Sequence, residues 1–275
     1  MNRYRVAAGY RACAGCTKDV QHPCRWLCRP CVHAGPVFCM RASRYSWSMI
    51  LDTNLLPGWM LIASSAVMIA VLAAALRWAQ WNALAAAPGR IHLLSLSILF
   101  CLGLWALSVP VGESLRLHLL GMTSVTLLLG WRFAVLCGSL ALLILTLLSD
   151  APLGGLPPSW LLTVAVPATV SRLLLRLLPR QQNLFFYTLG GGFIGGMASA
   201  LCAALLALAL LALAGQEALV TRALELWPML ALILFPEGFI NGTLVTAGCV
   251  FFPQAVKTFD DYFYLAGDEP SSDDE

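Results

Sequence analysis

The sequence predicts an all-α protein, a polytopic bundle of six or seven transmembrane helices with the start of the first span outside and the C-terminus in the cytoplasm. Composition comes first: of 275 residues, 59% are hydrophobic and only 11% charged, whereas a soluble domain carries about 25% charged residues. The second observation is run length. A span needs about 20 mostly apolar residues, and the runs here are too long and too continuous for barrel strands, which alternate over about ten residues. The third is the placement of Lys and Arg, which collect at alternate ends of the runs as a cytoplasmic face requires.

Residues 1 to 48 precede the first run and resist this scheme. They hold eight of the 17 basic residues and a single acid, Asp19, ahead of a span whose start should face away from the cytoplasm. Six of the ten cysteines lie here, including Cys13-x2-Cys16 and Cys28-x2-Cys31. Four thiolates so spaced can close a tetrahedral zinc site. Against zinc stands the lack of helical or strand periodicity, and no apolar segment marks a signal peptide. The preferred reading is a disordered extension or a start at Met49, from which MILDTNLLPGW leads directly into the first span.

Seven runs follow, near 59 to 78, 91 to 109, 116 to 130, 133 to 149, 160 to 178, 184 to 213 and 228 to 252. The third and fourth are short and separated only by Trp131 and Arg132, so six is the alternative count. With Asp52 outside, the cytoplasmic ends gather Arg77, Arg90, Arg132, Arg172, Arg176, Arg180 and Lys257, while the opposite ends keep Arg116 and Arg222. Residues 49 to 253 make up the bundle. Residues 254 to 265 set Phe and Tyr at headgroup level, and residues 266 to 275, AGDEPSSDDE, form an acidic tail with too little to bury for order.

Two spans carry small residues at intervals of four: Gly192 and Gly196 in the sixth, Gly238 and Gly242 in the seventh. Such faces let helix backbones approach closely, which replaces the hydrophobic drive inside a bilayer. The seventh span also breaks its own apolar pattern with FPEGFINGT. Glu237 falls near the midplane at a 1.5 Å rise per residue, and Asn241 follows one turn on, on the same face. Pro236 cannot donate to the carbonyl of Leu232, so it frees an acceptor and should kink the helix. An intramembrane carboxylate needs a partner or a purpose. The structural reading is a polar knot joining helices; the functional one is a charge that balances a cation or a proton.

His118, in LRLHLLGMTSVTLLLGW, lies at the outer mouth of the third run. It is either interfacial or a ligand, since imidazole binds zinc, nickel and cobalt. Thr123 sits deeper, among hydroxyls that usually bond across helices. No Walker A, GxSxG or HExxH motif occurs, no charged stripe suits nucleic acid, and a single credible His ligand argues against an intramembrane metalloenzyme. The chain is not expected to be an enzyme.

The succession LHLLGMT, a long apolar region, FPEGFINGTLVTAG and a closing KTFDDYFYL resembles the bacterial family of CbiM and NikM, over roughly residues 49 to 265. Those proteins are the substrate-binding permease components of energy-coupling-factor ABC transporters for cobalt and nickel. The resemblance implies a multi-pass protein of the bacterial inner membrane, with ATPase subunits and a transmembrane coupling subunit as partners. It also implies no permanently bound cofactor, the metal ion being the substrate. In metal-binding members a His followed by a Gly and a hydroxyl residue binds the ion; His118 with Gly121 and Thr123 matches. Glu237 is similar to a Glu in their last span. The chain departs from the family at its start. Those members begin Met-His and complete a square-planar site of the kind nickel favours, whereas Met49 is followed by Ile50, leaving Asp52 and Asn54 to offer oxygens. The alternative is a non-transporting assembly or scaffold protein in which Glu237 is only the knot.

Overall fold

Among the described residues six helices are long and apolar enough to cross a membrane: Gly58–Trp78, Gly89–Ala106, Trp131–Leu148, Leu153–Leu177, Leu184–Leu213 and Trp227–Phe251. They belong to a computed structural model that describes residues 53–85, 88–111, 115–149, 151–178, 184–253 and 256–258. The Cys/Arg-rich stretch with Cys13, Cys16, Cys28 and Cys31, together with Asp52 and the acidic tail, lies outside the described residues.

In chain order the elements are α1 (Gly58–Trp78), α2 (Trp81–Ala85), α3 (Pro88–Ala106), β1 (Val109–Val111), β2 (Leu115–Leu117), α4 (Met122–Leu129) and α5 (Trp131–Leu148). Then come α6 (Leu156–Trp160), a π-helical turn (Leu161–Ala165), α7 (Val166–Leu177), α8 (Leu184–Phe186), a second π-helical stretch (Tyr187–Ile194), α9 (Gly195–Leu213), α10 (Glu217–Glu225) and α11 (Trp227–Phe251). Leu and Ala dominate the spans and favour helix. Prolines stand at starts, as Pro57 before α1 and Pro228 in the first turn of α11, where the missing N–H costs nothing. Pro236 is the interior exception, and helix continues through it. Ile62, Ile69, Leu99, Leu147 and Phe239 are exposed along the spans, the surface that hydrocarbon would cover.

The third apolar run does not form a span. Val109–Val111 and Leu115–Leu117 pair as short antiparallel strands, Val109 opposite Leu117, and the helix after them, α4, has only eight residues, about 12 Å at 1.5 Å per residue. Contacts at the two ends of the bundle show what this short piece does. At one end Gln216 Nε2 donates to the carbonyl of Leu55, 3.1 Å away. At the other, Lys257 Nζ donates to Gln80 Oε1 at 2.8 Å and the Lys257 amide to the carbonyl of Leu128 at 2.9 Å. Helices α1, α4 and α11 therefore run in one sense, from the Leu55 end to the Lys257 end. The third run is thus a short strand, a non-helical link and a short helix, and the six long helices match the alternative count of six. Hydropathy registered its apolar residues and missed its backbone.

Non-helical backbone at membrane depth survives only where protein covers it, and here the cover is the core. Trp105, Met122, Val125, Phe133, Trp160 and Val164 are buried together, packing α3, α4, α5 and the chain from α6 through the first π turn around one another. On the far side of α4, the second π stretch and α9 meet α11 through glycines. A Cβ on Gly192 would lie 3.0 Å from the Gly242 Cα, and one on Gly238 would lie 2.8 Å from the carbonyl oxygen of Phe193. Main chain stands against main chain, so no side-chain rotation could make room.

A candidate capture site on a carboxylate anchor

The non-helical link after β2 runs through His118, Leu119, Leu120 and Gly121 before α4 begins. Gly121 takes φ +66°, and a Cβ there would fall 2.6 Å from Leu104 Cδ2 and 2.7 Å from Phe100 Cε1. The left-handed backbone favours glycine, and a side chain here would also push the ends of Leu104 and Phe100 aside. The turn aims the first amides of α4 toward α11, where Glu237 waits.

Glu237 is 1% exposed and Asn241 fully buried, and every polar atom they present to α4 is engaged. The Leu120 amide donates to Glu237 Oε2 at 2.6 Å and the Gly121 amide to Oε1 at 2.8 Å. Asn241 Nδ2 donates to the same Oε1 at 2.7 Å and to the Glu237 main-chain carbonyl at 2.8 Å. Asn241 Oδ1 accepts from the Ser124 amide at 2.7 Å. The first amides of a helix have no partner within it, and in hydrocarbon an unpaired amide costs several kcal/mol. The two side chains of α11 satisfy two of those donors, Gly121 and Ser124, and the Leu120 amide just before them, and the negative carboxylate meets the positive end of the α4 dipole. The i, i+4 spacing of Glu237 and Asn241 is what sets both on the face that reaches α4.

Sequence reasoning paired Glu237 with Asn241 but missed what they hold, because the donors lie 116 and 117 residues earlier in the chain and are main-chain groups. It also missed Trp105, whose indole Nε1 donates to the Leu120 carbonyl at 2.9 Å, so that one peptide unit is clamped from two helices. Thr123 lies beside this anchor rather than in an open path. Its hydroxyl is 2.7 Å from Ser171 Oγ and 2.9 Å from Ser199 Oγ, joining α4 to α7 and α9. The signal for Ser171 and Ser199 was their mere presence within apolar spans.

His118 precedes the clamped residues by two positions and is half-buried, outside the six spanning helices. Its Nδ1 approaches the Leu119 carbonyl at 3.4 Å, which leaves Nε2 as the nitrogen with no protein partner among the described residues. Burial holds the imidazole down, at about 4, so the ring is neutral and its lone pair is available at ordinary pH. Among the described residues no three His, Cys, Asp or Glu side chains converge on one point. Asn54 lies in the short 3-10 turn Thr53–Leu55 at the Leu55 end, and Asp52 lies outside the described residues.

The fold has counterparts among solved structures. The chain is similar to a transition metal transporter, at 19% identity with a TM-score of 0.59 over 80% of this chain and 98% of that one. It is similar also to a truncated transition metal transporter, at 20% identity and TM-score 0.59 over 72% of this chain and 97% of the other. At these identities the matches establish a shared fold. A search of curated proteins found no match. The family described as the cobalt uptake substrate-specific transmembrane region matches residues 51–255. That match spans well over half of the sequence, and the chain accordingly belongs to the CbiM family, as a multi-pass membrane component of transport rather than an enzyme.

Proposed function

We propose that this chain captures a divalent transition-metal ion, such as cobalt or nickel, for an energy-coupling-factor ABC transporter in the bacterial inner membrane, and that separate ATPase and transmembrane coupling subunits drive its release. The observation that carries the reading is the clamp on the His118 segment. A chain that only needed a seventh span could use an ordinary helix. This one has a short helix after a non-helical link and commits a buried carboxylate, an amide and an indole to holding Leu120, Gly121 and Ser124 in place. In such an arrangement Glu237 and Asn241 are positioning residues, and His118 is the ligand they position. Further donors come from Asp52 and Asn54, whose oxygens would admit harder ions than an all-nitrogen set.

The basic residues set the orientation proposed here. Arg77, Arg90, Arg132, Arg172, Arg176 and Lys257 lie toward the Lys257 end of the helices, which the positive-inside rule assigns to the cytoplasm. His118 then faces the outside, where capture begins. The polar-knot reading of Glu237 accounts for the same hydrogen bonds without a substrate, and uptake separates the two. Cells lacking the chromosomal copy should regain cobalt or nickel accumulation with the wild-type chain and its partner subunits, and fail to regain it with His118→Ala at equal abundance. Full accumulation by that variant would leave only the scaffold reading.

A further inference from the structure

A second polar feature lies at the Lys257 end, away from His118 and independent of the capture reading. A cavity of about 330 Å³ opens there between α4, α5, α7 and the segment after α11, at the small end of the ~300–1,000 Å³ typical of ligand pockets. Four cations line it, Arg132, Arg172, Arg176 and Lys257, and among the described residues no Asp or Glu does. The remaining wall includes Leu127, Leu129 and Leu175.

Aromatic rings orient two of these cations, and no carboxylate among the described residues pairs with the group. The Arg172 guanidinium stands over the Trp131 ring at 5.9 Å and the Lys257 ammonium over Phe133 at 5.7 Å. An aromatic face attracts a cation without removing its charge or its donors. Beyond these rings, the only described hydrogen bond of the group is that of Lys257 Nζ to Gln80 Oε1, at 2.8 Å. Burial, with Arg90 and Arg132 nearby, lowers the Lys257 pKa from its ordinary value, which marks a surplus of positive charge. Arg172 and Arg176 are one turn apart and share a face of α7.

Basic residues at a cytoplasmic end are ordinary, and each alone would point into water. Three separate elements converging their cations on one recess, with leucines behind them, call for a ligand that is anionic at one point and apolar beside it. We propose that this recess holds the phosphate headgroup of one anionic phospholipid, its acyl chains lying along the neighbouring apolar surface. A free phosphate would pair with the arginines but leave the leucine wall unused, and a basic recess between spanning helices is where headgroup recognition is expected.

The test is native mass spectrometry of the full-length chain in detergent, titrated with phosphatidylglycerol or phosphatidylcholine. Wild-type protein should retain one phosphatidylglycerol and hold phosphatidylcholine more weakly. The double variant Arg172→Gln, Arg176→Gln should lose phosphatidylglycerol affinity by about thirtyfold, at roughly 1 kcal/mol per basic residue near a lipid surface. Arg77→Gln, which is exposed at the same end, should bind as wild type. Arg132→Gln gives a second reading should the double variant fail to fold, with a loss of about fivefold. Equal retention of the two lipids, unchanged binding in the cavity variants, an equal loss in Arg77→Gln, or displacement of the lipid by inorganic phosphate at matched concentration would each overturn the proposal.

Discussion

Replacing Glu237 by Gln tests whether the carboxylate is an anchor, and the geometry fixes the expected size of the effect. All three groups facing the carboxylate are donors: the Leu120 amide, the Gly121 amide and Asn241 Nδ2. An ionised carboxylate is acceptor-only and suits them, whereas a Gln amide brings two N–H donors of its own. In its better orientation the Gln oxygen keeps Gly121 and Asn241 while its NH2 opposes the Leu120 amide. Asn241 cannot rotate to compensate, because its Oδ1 is held by the Ser124 amide. One main-chain N–H is then orphaned in an apolar setting, a cost of roughly 1–3 kcal/mol, or about 5- to 150-fold in the population of the clamped segment. The bundle itself should survive, since hydrogen bonds between membrane helices contribute only about 0.6 kcal/mol on average. Nickel or cobalt binding by isothermal titration, beside thermal unfolding in the same detergent, separates the outcomes. The expectation is affinity reduced by one to two orders of magnitude with a small change in melting temperature. Wild-type affinity in a folded Glu237→Gln protein would refute the anchor.

Three further outcomes follow from the same contacts. Gly121→Ala, with its φ of +66° and the 2.6 Å approach to Leu104, should cost about 1–2 kcal/mol in backbone strain alone and weaken metal binding, read by the same titration; unchanged affinity would show that the turn tolerates a side chain. Thr123→Val should lower stability by less than about 1 kcal/mol and leave uptake intact, because Ser171 and Ser199 keep bonds to the carbonyls of Pro167 and Gly196; a transport defect without instability would return Thr123 to the substrate path. The pKa of His118, about 4 in the fold, lies below the ordinary His value near 6.5, so the stability this neutral ring contributes is present above pH about 6.5 and lost as pH falls through about 4. Metal affinity measured at pH 7.5 and 5.5 should therefore differ little, and a decline centred near pH 6.5 would count against a buried neutral ligand.

Much of the architecture was readable from the sequence for simple physical reasons. Run length and the scarcity of charge identify the spans, and the four-residue spacing of Gly192, Gly196, Gly238 and Gly242 lies where an added Cβ would meet main-chain atoms of the facing helix at 2.8 to 3.4 Å. The backbone of the third run was not readable. A hydropathy window over 116 to 130 registers apolar residues and is blind to whether they are helical, and Gly121 betrays its left-handed turn only once Leu104 and Phe100 stand beside it. Glu237 announced itself through its cost in hydrocarbon. Its partners were hidden because an amide N–H looks the same at every position in a sequence, and only the fold brings Leu120 and Gly121 to it. Trp105 was hidden likewise, as one more aromatic at a helix end until its indole reaches the Leu120 carbonyl.

The central claim is that the clamped segment exists to present His118 to an ion. Equilibrium binding of nickel and cobalt to purified wild-type and His118→Ala protein, with melting temperatures taken on the same samples, tests it most directly. The account predicts one ion per wild-type chain, loss of that binding in His118→Ala, and matching melting curves in the absence of metal. Equal stoichiometry and affinity in the two proteins would contradict it.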